Sequence, residues 1–376
     1  MSNLNLNTSH PFVDREQTYF LDRKLISIHS VDRDINKWPN SSNFEIELPE
    51  NLNNVYSLRL LSASTPSNFY TFSNSYQNTK ILISLQPDIS GGGAEESAIT
   101  GYYALNKTEV VINEGYYEPG ELENELTGKI NEAITKDLIS TLGSSYVYDK
   151  FYVKYDKTTH KYNFINTRDN FIIHADIQIE YTGLPCGQIT SWNNYANWGL
   201  PYNLGLEKKS YTSIESNNAL NFHYDNTSYV PSSDNLSNTI KYVQSENCAD
   251  IFCSDSIYVE LDKYNSIDEI TPYSESTNNM YNNDYSGKTE SAFAKLPVFG
   301  TPFSQVYDAN SVFLNNITFF KVPIPKIRKL KFKFRHHNGI LVDFKNMPFS
   351  FTIEATQLID EPRRKLDVNI PFVYSS

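Results

Sequence analysis

The sequence predicts a mainly β protein, an antiparallel β-sandwich with one amphipathic helix and long loop insertions. Three observations lead there. Short segments alternate apolar and polar residues with the period of a half-buried strand. One segment, near 118–139, has helical period instead. The strands follow one another without the strand–helix alternation of βαβ units.

The elements come in order. Leu25 to Val31 is β-branched and alternates, and so does Asn43 to Pro49, where Phe44, Ile46 and Leu48 face one way and Glu45 and Glu47 the other. Strands follow at Val55–Leu61, Lys80–Leu85 and Glu109–Ile112, with a Gly91-Gly92-Gly93 turn between the last two. From Glu118 the period changes, and Leu122, Leu126, Ile130 and Ile134 recur every fourth residue. Pro119 suits a first helical turn, and Glu118, Glu121, Glu123 and Glu125 suit the positive end of the helix dipole. Phe151–Tyr155 and Lys161–Ile165 flank a polar turn and read as a hairpin, and Phe171–His174 continues the sheet. Ser256–Leu261, Ser291–Phe299, Asn316–Val322, Lys329–Arg335 and Phe349–Thr356 complete the strands, with a tight turn at Asn338-Gly339. The expected organisation is an arm over 1–20, a sandwich core from 21–184 with 291–376, and a loop-rich insertion over 185–290, where Ser, Asn, Tyr and Asp dominate.

Composition narrows the function. The 376 residues carry a net charge of −12, which argues against a general nucleic-acid coat, because that role needs excess Lys and Arg to displace counterions. The 27 Tyr and 22 Phe argue against wholesale disorder. Three cysteines, Cys186, Cys248 and Cys253, are too few and too unevenly spaced for a disulfide scaffold or a zinc knuckle, so free thiols are expected. The start, Met1-Ser2-Asn3-Leu4-Asn5, lacks the basic and apolar regions of a signal peptide, and no run approaches the roughly 18 apolar residues of a spanning helix. The expectation is a soluble protein made in a cytoplasm.

No catalytic, cofactor or metal constellation emerges. There is no Gly-x-Ser-x-Gly elbow, phosphate-binding loop or His-Glu-x-x-His helix. His336 and His337 are adjacent, so on a strand they point to opposite faces and read as surface residues. His29, Asp32 and Asp34 suggest a carboxylate–His pair, but Asp at a strand end more commonly bonds a turn. The strongest charge feature is cationic: Lys321, Lys326, Arg328, Lys329, Lys331, Lys333 and Arg335, with no acid among them. It reads either as an edge strand guarded by Lys or as a docking stripe for an acidic partner. Trp192, Tyr195 and Trp198 either bury against the sandwich or stack on sugars. A glycosidase-like site would need two convergent carboxylates.

Several phrases are more specific. Ser30-Val31-Asp32-Arg33-Asp34 leads into Trp38-Pro39-Asn40-Ser41-Ser42-Asn43-Phe44-Glu45-Ile46-Glu47-Leu48-Pro49; Val55 to Pro66, Ile112 to Leu122 and Pro348-Phe349-Ser350-Phe351-Thr352-Ile353-Glu354 follow in order. Together they resemble the minor capsid proteins of nucleocytoplasmic large DNA viruses, the giant viruses. The likeness covers the first 185 and last 60 residues best. It implies a β-sandwich of jelly-roll type, which the strand succession also suits, in or under an icosahedral shell. It implies a virion protein made and assembled in host cytoplasm, with the major capsid protein, other minor capsid proteins or the inner viral membrane surface as partners, and no specific nucleic acid. It brings no catalytic residues and no cofactor. The alternative is a carbohydrate- or receptor-binding β-sandwich on the virion surface.

Overall fold

The computed structural model describes residues 19–66, 70–87, 93–184, 192, 197–216, 240–251, 256–271, 288–298, 305–307, 317–337 and 339–360. Among them run β1 (Tyr19–His29), β2 (Asn43–Pro66), β3 (Lys80–Gln86), α1 (Ala94–Tyr103), β4 (Thr108–Val111), α2 (Pro119–Leu142), β5 (Phe151–Asp156), β6 (Lys161–Asn166) and β7 (Asn170–His174). Then come α3 (Leu200–Asn203), β8 (Ser210–Thr212), β9 (Ile214–Ser216), β10 (Ile240–Gln244), β11 (Ser256–Leu261), β12 (Ile267–Thr271), β13 (Lys288–Ala292), β14 (Ala294–Pro297), β15 (Gln305–Tyr307), β16 (Ile317–Arg335) and β17 (Ser350–Asp360). The protein is mainly β and every strand pair is antiparallel.

The largest sheet has the order β1-β17-β2-β16-β11-β14. The first strand pairs with the last, and β2 pairs with both β16 and β17, the nested antiparallel pairing of a jelly-roll type sandwich. Phe332 lies opposite Phe44 near the start of β2, and Phe351 opposite Ala63 near its end. A straight strand would hold Phe44 and Ala63 roughly 60 Å apart. Yet the Phe332 and Phe351 rings are 4.8 Å apart. The sheet therefore folds over on itself. The bend lies where Asn54 takes a positive φ of 51° and the pairing of β2 shifts register with both neighbours. Phe44, Phe332, Phe334, Phe349 and Phe351 fill the space between the two layers.

The Asn43–Pro49 and Val55–Leu61 segments are thus one 24-residue strand, and the two segments expected at 316–322 and 329–335 are one 19-residue strand. Pro323 and Pro325 obscure the second; Pro323 sits where β16 slips register between Phe319 and Ile324, one of the few places a strand tolerates proline, and Pro325 lies just past it.

A second core lies between β2 and β11 in the chain. Sheets β4-β3-β7-β8 and β5-β6-β10-β9 enclose it with α1 and α2. The helix expected at 118–139 is α2, and Leu122, Leu126, Ile130, Ile134 and Leu138 are all buried. The Glu118 N–H donates to Glu121 Oε2 at 3.1 Å and closes its first turn. Among the described residues, buried side chains from Phe72 to Ala175 and from Trp198 to Ile251 share one core, while those of β11 and β14 belong to the sandwich. Helix α1 was not foreseen, since only Ile99 and Tyr103 of its ten residues are buried and they give little periodic signal.

One face of α2 does more than bury Leu and Ile. Its residues 123, 127, 131 and 135 form a ladder of acceptors along β5 and the residues just before it, on the side where β5 has no strand partner among the described residues. Glu123 Oε2 accepts from the Tyr155 N–H at 2.6 Å, Thr127 Oγ1 from Val153 at 2.9 Å, Asn131 Oδ1 from Phe151 at 3.1 Å and Thr135 Oγ1 from Tyr148 at 2.9 Å. Asn131 Nδ2 also donates to the Phe151 carbonyl at 2.8 Å. Spacing by one helical turn matches spacing by two strand residues closely enough to cap the edge. Asn131→Ala strips two backbone groups of their partners and is expected to cost about 2 kcal/mol in urea unfolding.

Where the two cores meet, Tyr76 Oη lies 2.9 Å from His336 Nε2, and Lys345 stands 4.1 Å over the Tyr70 ring. The expected arm over 1–20 is described only at Tyr19 and Phe20, which begin β1. The Val368–Val373 segment, Asn338, Cys186 and Cys253 lie outside the described residues. Cys248 is an exposed free thiol.

Candidate assembly surfaces

The cationic strand is not uniformly free. β16 lies inside the sheet at its C-terminal end, where Phe332–Arg335 pair with β11 and Phe332 and Lys333 also pair with β2. An edge guarded by Lys therefore describes only the stretch before Phe332. Neighbouring acids neutralise much of the stripe. Arg328 Nη2 meets Glu47 Oε1 at 2.6 Å, Lys329 meets Glu45 at 3.0 Å, and Lys333 meets Glu260 at 3.3 Å. The hydrogen bond from Lys329 holds the Glu45 carboxyl below its ordinary range. Glu45 and Glu47, on the polar face of β2, are the counterions of β16. Lys331 sits 5.3 Å from the Trp38 ring.

Arg335 departs furthest from expectation. Its side chain is 0% exposed, paired to Glu260 and to the buried Glu269, and its guanidinium lies 5.3 Å from the Tyr258 ring. It is an internal cation that no partner protein can reach from outside. The two histidines that follow lie past the end of the strand and differ in burial. His337 is exposed and meets Glu269 Oε1 at 2.9 Å, whereas His336 is buried against Tyr76. The surface reading thus fails for His336. Burial lowers its pKa to about 4. Of the stripe, Lys321 and Lys326 are exposed and have no ion-pair partner among the described residues.

The aromatic loop is only partly described, and Tyr195 lies outside the described residues. Trp198 is buried in the second core and Trp192 packs against it edge to face at 4.7 Å. Lys208 stands 4.8 Å over Trp192 and 5.4 Å over Trp198 and donates to the Trp192 carbonyl. Burial holds its ammonium below the usual lysine range. A sugar would need an open ring face to stack on. Here Lys208 stands over both rings, and the two tryptophans line a shallow pocket with Lys80, Tyr181 and Pro201. At the other candidate, Asp34 accepts from the Asn36 and Lys37 N–H groups at 3.0 and 3.3 Å, which is the turn chemistry.

Sequence reasoning missed a third surface. On the outside of the sandwich, Leu21, Tyr56, Ile317, Phe319 and Thr356 line a shallow depression. Its floor holds Glu354, clamped by Arg23 (2.9 and 2.6 Å) and by Arg59 (3.0 and 2.7 Å). The Arg23 hydrogen bonds, followed by those of Arg59, hold the Glu354 carboxyl below its ordinary range. The cluster keeps one net positive charge, and exposed Leu21 and Phe319 stand beside it. A lone Glu in the apolar alternation of β17 was the available signal. Its two arginines lie on β1 and β2, far off in the chain.

No family model matches the chain, and no curated protein matches it. Among solved structures it is similar to the mavirus penton protein, at 10% identity over 91% of this chain and all of that one, with a TM-score of 0.40. It is similar at the same TM-score to the 3.5 Å Sputnik virophage cryo-EM structure, at 11% identity over 89% of this chain and 98% of that one. At this distance each is a likeness and nothing more.

Proposed function

We propose that this chain is a structural virion protein, a minor capsid protein that helps assemble or cement an icosahedral capsid through protein–protein contacts. The observation that carries the reading is the outer face of the sandwich, where large apolar side chains stand exposed around a carboxylate clamped by two arginines. Apolar side chains grouped on a surface mark a contact region. The ordered phrases that resemble minor capsid proteins support the same role. Its action is adhesion, with no reaction step. The sandwich supplies a rigid platform, and the apolar face and the free lysines of β16 meet the major capsid protein, other minor capsid proteins or the inner viral membrane surface.

Mass spectrometry of purified particles tests the role directly, and absence of the chain from them overturns it. The free lysines are tested by co-expression with the major capsid protein of the same genome. Lys321→Glu with Lys326→Glu is expected to lower incorporation roughly tenfold, at about 0.7 kcal/mol per reversed charge. The fold should be unchanged, since neither residue holds an internal ion pair among the described residues. Full incorporation of the double variant removes these lysines from the contact.

A further inference from the structure

β1 ends the largest sheet, with β17 on one side and no strand on the other among the described residues. It is eleven residues long, without proline or a register shift. Such edges usually carry guards against pairing. This one carries Asp22, Arg23 and Lys24, of both signs, and beside them exposes Phe20, Leu21 (61%) and Leu25 (58%).

Backbone direction identifies what the open side offers. The Ser30 N–H donates to the Phe349 carbonyl at 2.9 Å, in line with the β1–β17 register. Antiparallel strands alternate the direction of their backbone groups. The even-numbered residues of β1 therefore bond β17, and Leu21, Arg23, Leu25 and Ser27 turn their N–H and C=O groups outward.

A second copy can pair with this edge only about a two-fold axis through one residue, since any other offset sets opposite faces together. The possible centres differ sharply. Centring on Asp22 or on Lys24 sets like charges face to face. Centring on Leu25 leaves Asp22 opposite Ile28 and Lys24 opposite Ile26. Centring on Arg23 sets Asp22 opposite the partner's Lys24, Leu21 opposite the partner's Leu25, and Phe20 opposite the partner's Ile26. Each of these pairs then recurs by symmetry. Arg23 would face its own copy, but its guanidinium is drawn back over β17 by two bonds to Glu354. An outward-facing residue at the axis also gives the closely bonded pair geometry, with its Cα atoms about 5.5 Å apart.

We propose that β1 pairs antiparallel with β1 of a second copy of this chain, centred on Arg23, so that the two large sheets continue across the axis. Charge complementarity and the paired leucines select the register, and the pairing does not depend on a virion role.

Sedimentation of the full chain tests it. The wild type is expected to be a dimer at roughly 50 µM. Asp22→Lys and Lys24→Asp each turn two symmetry-related attractions into repulsions, and each should weaken dimerisation about tenfold. Combining them restores the complementarity and should restore the dimer. Lys24 also bonds Glu50 at 2.6 Å, so thermal unfolding of each variant must confirm folding. A second measurement avoids charge altogether. Leu21→Cys with Leu25→Cys, both exposed, should form intermolecular disulfides under mild oxidation, which the wild type with its native cysteines should not. A monomeric wild type overturns the proposal. So does a double charge swap as weak as its parents, or a cysteine pair that stays reduced.

Discussion

Arg335→Ala is expected to destabilise the protein by about 3–5 kcal/mol, more than any other single charge removal along β16. The guanidinium is wholly buried and compensates two carboxylates, Glu260 on β11 and Glu269 on β12. Glu269 is itself buried, and its other partner, His337, stands at the surface. Removing the cation leaves negative charge in a site that water reaches poorly, and the penalty is that of an uncompensated buried ion rather than the worth of the pair. Urea unfolding measures it. Lys326→Ala, on the same strand but exposed, should stay within about 0.5 kcal/mol of wild type. Arg335→Met with Glu269→Gln should recover most of the loss, because it removes the cation and the buried carboxylate at similar volume and leaves Glu260 with Lys333. A loss below about 1 kcal/mol for Arg335→Ala would mean that water enters the cluster.

Acidification from pH 7 to pH 4 should cost wild type about 3 kcal/mol more than it costs His336→Gln. The His336 ring is buried where the two cores meet. It bonds Tyr76 Oη and lies beside the backbone of Ser256, which opposes the shift slightly. Burial keeps the ring neutral in the fold and lowers its pKa from 6.5 to about 4. Between those values the unfolded chain binds a proton that the folded chain refuses. The contribution is complete above the unfolded value and falls away as pH drops toward 4. His174 moves in the same direction, chiefly by burial, so wild type and variant share that part of the slope. Carboxylates held low by cationic partners, Glu45 and Glu354 among them, lose their contribution only below the ordinary carboxylate range, which leaves the window above pH 5 to histidine. Parallel stability–pH curves for wild type and His336→Gln would show that the ring finds water or a second acceptor.

Local pattern carried much of the architecture. The four-residue spacing from Leu122 to Ile134 located α2 because each of those residues is buried on one face. Alternation at Phe44, Ile46 and Leu48 located the start of β2. It could not show that this strand runs on to Pro66, since Pro49-Glu50-Asn51 breaks the pattern where the exposed bend begins. α1 left almost no trace, because a helix that buries two side chains needs little periodicity. The candidate surfaces divided in the same way. A run of cations is visible in any sequence, but its counterions are not. Glu45, Glu47, Glu260 and Glu269 reach β16 from three other strands.

By itself the sequence determined the antiparallel β class, the one strongly amphipathic helix, the turn at Asp34 and a strand of alternating apolar and cationic residues, because each depends on neighbours a few positions away. The tertiary structure alone decided that β2 bends to close a sandwich, that a second core forms between β2 and β11, that Arg335 and His336 lie inside while Lys321 and Lys326 stay outside, and that β1 ends its sheet among the described residues. Those outcomes depend on which distant strand lies alongside. Pairing between strands is a matter of long-range register and burial, and periodicity within a segment carries no record of it.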